Sequence, residues 1–150
     1  MTVDFELKKV PSIHVASISR ITPWKEGVLR TEFRELTAWA AEAGLRTGRW
    51  IFSHPSDDRW TACLEVKGEA APRGKIRMKT LPATWVARVV FNPEEIADRV
   101  IYHGLSDWVR WRKRYKEISG TRGFREVYSG DPWSDADAWA HCEVQFLVRK

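Results

Sequence analysis

Apolar residues recur along this chain with two different periods, and the order in which the periods alternate is itself repeated. SIHVASI and ATWVARVVF are short β-branched runs that follow Pro11 and Pro82, and runs of this length and make-up predict strands. After Pro23, Leu29, Phe33, Leu36, Ala40 and Ala43 fall at steps of three and four, one stripe of an amphipathic helix that stops at Gly44. Further on, Asn92 and Pro93 stand as N-cap and first helical residue, and Ile101, Leu105, Trp108 and Arg112 continue the spacing. Gly104 weakens that second helix, which could begin only near Leu105. Each helix is followed by a predicted hairpin, RWIFS to WTACLEV around HPSDDR and FREVYS to HCEVQFLV around GDPWSDADA. Both turns are rich in the Pro, Asp, Ser or Gly that make tight reversals.

The two halves match one another. Leu7 to Ser17 lies over Met78 to Arg88, pairing Lys8 with Lys79, Pro11 with Pro82, Val15 with Val86 and Ala16 with Ala87. Further matches follow in the same order: Trp39 with Trp108, Ser53 with Ser129, Trp60 with Trp139 and Cys63 with Cys142. Collinear matches predict two copies of one unit, residues 5–70 and 76–149, joined by GEAAPRG. The expected architecture is α+β: two pseudo-symmetric β-α-β-β repeats in one domain spanning 1–150, with helices covering one face of antiparallel sheets. Alternate strand residues then point to the opposite face, where the repeats would enclose a cleft.

Composition narrows the class. A chain of 150 residues that is 43% hydrophobic and 30% charged, with a net charge of +5, has the size and apolar content of one folded domain. No apolar run approaches the roughly 18 to 20 residues of a membrane span, and MTVDFELKK places charges where a signal peptide has its apolar core. The expectation is a cytoplasmic chain without membrane contact. Two cysteines make neither a disulfide framework nor a CxxC pair. Nine tryptophans are the unusual feature.

Alternation sorts the second hairpin. Val144, Phe146 and Val148 form an apolar row suited to the helices, which leaves Glu143, Gln145 and Leu147 for the open face, while one row of the partner strand is Phe124, Glu126 and Tyr128. By the Ser53 to Ser129 match, the first repeat has Trp50 and Phe52 in that row, with Trp50 standing where Glu126 does. A carboxylate among aromatic rings calls for a cationic or hydrogen-bonding partner. The two-copy layout, the EVY of Glu126 to Tyr128 followed by Asp131 and Pro132, and the final strand with Glu143 resemble the GyrI-like small-molecule-binding domains, which also serve as effector-binding domains of AraC-type regulators. The resemblance spans nearly the whole chain and identifies it as a stand-alone member. It implies a paired β-α-β-β fold and a groove in which a glutamate among aromatics binds cationic, aromatic or amphipathic compounds. Glu126 matches that glutamate, with Glu143 the second candidate. Some members of the family hydrolyse cyclopropane-containing alkylating compounds with a glutamate, which would make Glu126 a general acid or base. The chain departs from the pattern at Asn92, where a glycine usually precedes the proline, and in its basic YHGLSDWVRWRKRY segment.

The candidate ligand-binding set is Glu126, Glu143, Trp50, Phe52, Trp85, Phe124, Tyr128 and His14, the last being the counterpart of Trp85. A cation over such rings gains roughly 0.5 to 2 kcal/mol per good face contact. No metal site or cofactor is expected. His141, Cys142 and Glu143 are consecutive, and Asp131, Asp135 and Asp137 lack EF-hand spacing and read as turn formers. Cys63 and Cys142 read as equivalent buried strand positions. Arg110, Arg112, Lys113, Arg114 and Lys116, interleaved with Trp111 and Tyr115, supply the alternative of a nucleic-acid or protein contact. A solvated helix face is favoured over it, since no nucleic-acid-binding motif accompanies the run. The expected partner is a small, partly aromatic, neutral or cationic organic molecule, and the oligomeric state is open.

Overall fold

The computed structural model describes residues 3–21, 25–56 and 59–150. Pro23, Trp24 and the Asp57–Asp58 tip of the first predicted hairpin lie outside them. The elements in chain order are β1 (Glu6–Val10), β2 (Ile13–Arg20), α1 (Glu26–Glu42), β3 (Arg46–Ser56), β4 (Arg59–Lys67), β5 (Arg77–Leu81), β6 (Thr84–Phe91), α2 (Asp98–Arg114), β7 (Gly120–Tyr128), α3 (Ala136–Ala140) and β8 (Cys142–Arg149). The strands form one continuous sheet in the order β1-β6-β8-β7-β3-β4-β2-β5, and every neighbouring pair is antiparallel. The fold is α+β with two pseudo-symmetric β-α-β-β repeats, as expected, but the repeats share one sheet.

Two edge strands not anticipated from the sequence tie the halves together. β1, just before Pro11, does not pair with its own neighbour β2 but with β6 of the second repeat, and β5 pairs with β2 of the first. The exchange is reciprocal: Lys8 pairs with Val86, and their internal matches Lys79 and Val15 pair likewise. At the centre, β3 and β7 join the repeats through Trp50↔Tyr128, Ile51↔Val127 and Phe52↔Glu126.

The pairing registers correct the sequence match on the inner strands. Equivalent bulges interrupt β3 between Thr47 and Trp50 and β7 between Thr121 and Phe124. Trp50 therefore answers to Phe124 and Phe52 to Glu126, not Trp50 to Glu126. Across the same bulges Thr47 pairs with Val66 and Thr121 with Val148, which aligns Trp60 with Cys142 and Cys63 with Gln145. The two cysteines are not equivalent and lie on opposite faces of the sheet. Trp60 is a core residue, 1% exposed, whereas Trp139 sits on α3.

The two long helices, α1 and α2, lie on one face. α1 buries Leu29, Phe33, Leu36, Trp39 and Ala40 against Ala16, Ile18, Trp50, Phe52, Trp60, Ala62, Leu64 and Val66, and it ends where Gly44 adopts φ +68°, a conformation costly for residues with a Cβ. α2 buries Ile101, Leu105 and Val109 against Ala87, Val89, Phe91, Val144 and Val148. It starts at Asp98, a full two turns before Leu105. Asn92 caps a separate turn, accepting the Glu94 amide at 3.0 Å, so Asn92–Pro93 does not open the helix. Gly104 is accommodated because Phe5 packs there: a Cβ would come within 3.0 Å of its ring. The aspartates of the second hairpin behave as turn formers. Asp131 accepts from the Trp133 amide and Ser134 hydroxyl, and Asp135 caps α3.

The helix-free face carries a different chemistry. Ile13, Val15, Ile51, Cys63 and Val127 form a small apolar cluster beside two ion-pair groups: Arg49 with Glu65, and Arg88 with Glu6 and Glu143. Arg49 hydrogen bonds hold the Glu65 carboxyl below its ordinary value. Burial pushes Glu143 upward, but donation from Arg88 and Gln145 outweighs it and the net direction is down. A carboxyl depressed in the folded state stabilises the protein above its unfolded value, and that contribution is lost as pH falls through the folded one. The urea midpoint is therefore expected to hold down to about pH 4.5, the ordinary value of both groups, and to fall below it. Measured between pH 7 and 2.5, the decline should be shallower in Glu143→Gln; identical profiles would remove Glu143 from the account.

Candidate functional site

A cavity of about 730 Å³ opens on the helix side of the sheet, between α1 and α2 and over β3 and β7. The strands place its floor residues by alternation: Trp50, Phe52 and His54 from β3, and Phe124, Glu126 and Tyr128 from β7, all face it. This is the face that the helices cover, not the opposite one. Glu126 pairs with Phe52 and Val144 in register, and paired residues share a face, so its row runs with the helix-facing row of β8. Phe33 and Leu29 of α1 and Tyr102 and Asp98 of α2 form the walls.

Glu126 is half-buried and held at both oxygens. Tyr102 donates its hydroxyl to Oε1 at 2.5 Å, and Tyr128 donates to Oε2 at 3.0 Å. Both phenols are pushed well above the usual tyrosine range, first by burial and then by the Glu126 charge, so each stays a proton donor. Rings complete the lining. Phe33 stacks on Trp50 at 4.7 Å with Trp133 tilted against both, Tyr102 meets Phe124 edge-on at 5.2 Å, and Tyr128 lies parallel to Trp139 at 6.4 Å. Trp133 donates its indole N–H to Glu26 at 3.0 Å, and Trp139 donates to Glu94 at 2.8 Å. Among the described residues the cavity is lined by three carboxylates, Glu26, Asp98 and Glu126, and by no lysine or arginine. In a chain of net charge +5 that is a local reversal of sign.

Five of the eight candidate residues meet here: Glu126, Trp50, Phe52, Phe124 and Tyr128. Three do not. Glu143 is on the helix-free face with Arg88, His14 contacts the Gly68 carbonyl and Glu69, and Trp85 packs with the second core beneath the Lys150 ammonium, 4.1 Å from the ring. Tyr102, Trp133 and Trp139 are lining residues that periodicity alone did not single out, and Phe33, placed by periodicity on the buried stripe of α1, also lines the cavity. A signal for Tyr102 was present: matching Trp39 to Trp108 places it opposite Phe33. Cys142 borders the cavity, but burial pushes its thiol up to about 12 and that of Cys63 up to about 11, so neither is a nucleophile at neutral pH. No cluster of three metal-ligating side chains occurs among the described residues. The basic run forms the end of α2, where Arg112 pairs with Glu117 and lies over Trp108, leaving Trp111 and Tyr115 53% and 59% exposed. Cations in that last turn complement the helix dipole.

No family model matches the chain, and no curated protein matches it. Solved structures do. The C-terminal domain of EcmrR is similar over 100% of this chain and 99% of its own, with a TM-score of 0.71 and 21% identity. EcmrR in its DNA complex matches over 99% of this chain with a TM-score of 0.73 and 22% identity, and the chain spans 58% of it. SAV2435 bound to tetraphenylphosphonium matches at a TM-score of 0.55 and 10% identity, covering 97% of this chain and 94% of that one. The fold is that of a GyrI-like domain. A Listeria innocua protein described as a hydrolase shares the fold at a TM-score of 0.58 and 8% identity, covering 96% and 91% of the two chains. Among the described residues, no helix of this GyrI-like fold is long and apolar enough to cross a membrane.

Proposed function

We propose that this GyrI-like chain, acting as one binding unit over residues 1–150, takes up a small aromatic organic cation in the cavity between its repeats. The observation that carries this reading is a carboxylate set among aromatic rings, hydrogen-bonded by two phenols and, among the described residues, accompanied by no lining lysine or arginine. Removing such a carboxylate from water is costly unless a counter-charge arrives. A cationic ligand supplies that charge and meets the ring faces with their negative side toward it. The volume is within the usual range for drug-sized ligands, and the neighbour bound to tetraphenylphosphonium supports the same ligand class. Binding takes precedence over hydrolysis of a strained electrophile: each Glu126 oxygen already accepts a phenol hydrogen bond, and a general base would have to hold the attacking water through its remaining lone pairs.

Trp50, Trp133 and Trp139 line the cavity, so occupancy is readable by tryptophan fluorescence. Titration with a cationic rhodamine-type dye is expected to quench it saturably, while an anionic fluorescein-type dye of similar size produces no saturable change. Equal affinity for the two dyes would overturn the reading.

A further inference from the structure

The two walls of the cavity are chemically unlike at matched positions. Glu32, Leu36 and Ala40 of α1 and Ile101, Leu105 and Val109 of α2 are buried at the same spacing, which aligns Phe33 with Tyr102 and Leu29 with Asp98. On the sheet, the shared bulges align Phe52 with Glu126 and His54 with Tyr128. All eight side chains line the cavity. The first repeat thus presents Leu, Phe, Phe and His where the second presents Asp, Tyr, Glu and Tyr. Trp50 and Trp133 thicken the apolar wall. Among the described residues, the first repeat's carboxylate in the lining is Glu26, which is exposed, as Asp98 is, and accepts the Trp133 indole N–H.

We propose that the ligand is a head-and-tail cation: its charge sits at one end, against Glu126, Tyr102, Tyr128 and Asp98, and a flat aromatic tail lies on Phe33, Trp50 and Trp133. This rests on the cation-binding reading above and sharpens it to a shape. A cation with its charge at the centre of several aryl arms fits these walls poorly. Its charge is held away from Glu126, and at least one arm must cover Asp98, Tyr102 and Glu126, drying polar groups without giving them a donor. A terminal charge meets the carboxylate while the tail buries apolar area.

Calorimetric titration with three probes tests this: 4-(naphthyl)butyl-trimethylammonium, tetraphenylphosphonium, and the neutral 4-(naphthyl)butanol. The terminal cation is expected to bind at least tenfold tighter than tetraphenylphosphonium and tighter than the alcohol. Replacing the polar wall by its first-repeat counterparts, Tyr102→Phe with Asp98→Leu, is expected to shrink the preference several-fold, with an unchanged circular dichroism spectrum as the control. Tetraphenylphosphonium binding as tightly as the terminal cation, or a preference unmoved in the folded double variant, overturns the head-and-tail inference alone. Should neither cation outbind the alcohol, the cation-binding reading falls and takes this inference with it.

Discussion

Replacing Glu126 by glutamine is expected to weaken binding of a planar cation by roughly 30- to 150-fold, about 2 to 3 kcal/mol, while the protein stays folded. Glutamine keeps the size and an accepting oxygen, so one phenol hydrogen bond survives and the other meets an amide donor. What disappears is the charge. In the native cavity the carboxylate is half-screened from water by Phe52, Phe124 and the two tyrosines, and its Coulomb attraction for a ligand cation is correspondingly less damped than at a surface. The half-buried position sets the estimate at the lower end of the range for truncating a buried charge pair. The free protein should not lose stability, because a desolvated charge without a counter-ion has been removed. Calorimetric titration beside a thermal melt checks both halves, and an unchanged Kd in a folded Glu126→Gln variant would exclude this carboxylate as the ligand's counter-charge.

The largest effect on stability is expected at Glu32, which is not among the residues lining the cavity. Its side chain is 1% exposed on the buried face of α1 and is paired with Arg20 and Lys75. Among the described residues, one carboxylate oxygen and the Arg20 Nε have no hydrogen-bond partner. Alanine there removes the counter-charge of two cations and leaves a cavity. Breaking a buried pair typically costs 3–5 kcal/mol; because Arg20 and Lys75 are partly exposed and can turn to water, about 3 kcal/mol is expected, a Tm lower by roughly 6 to 12 °C. The matching position in α2 is Ile101, 2% exposed, which suggests the rescue. Glu32→Ile should recover most of the loss, since an apolar side chain of similar volume often serves as well as a buried ion pair. Urea unfolding of the two variants decides it: an alanine variant within about 0.5 kcal/mol of wild type would show the ion pair to be idle.

The site was partly legible before any coordinates, for identifiable reasons. Glu126 stood out because a carboxylate in an aromatic strand row breaks the binary pattern, and Phe124 and Tyr128 came with it by alternation. Trp50 and Phe52 came through the internal match, although the residue opposed to Glu126 proved to be Phe52. His14 and Trp85 were grouped with them because they are counterparts of each other, yet being equivalent says nothing about facing a common space. Glu143 was misplaced for a related reason. Its row was correctly assigned to the helix-free side, but the row of Glu126 was assigned there too, since two adjacent strands can be sorted against each other only when their register is known. Trp139 matched Trp60 in sequence and not in space, because the second repeat connects β7 to β8 through α3 and carries Trp133 and Trp139 to the cavity on that segment.

What the chain determined by itself is therefore local and periodic: two copies of strand, helix, strand, strand, the stripe that α1 buries, the aspartates that make the turns, and an isolated glutamate among rings. These follow from side-chain periods of two and 3.6 and from turn chemistry, which act over a few residues. Tertiary structure decided the rest. β1 and β5 are largely exposed edge strands with no apolar alternation, so nothing local reveals that each pairs with the other repeat. The Phe52↔Glu126 register depends on two bulges and on strands far apart in sequence. That register put Glu126 on the helix side, within reach of Tyr102, and a shift of one residue would have turned it to the opposite face.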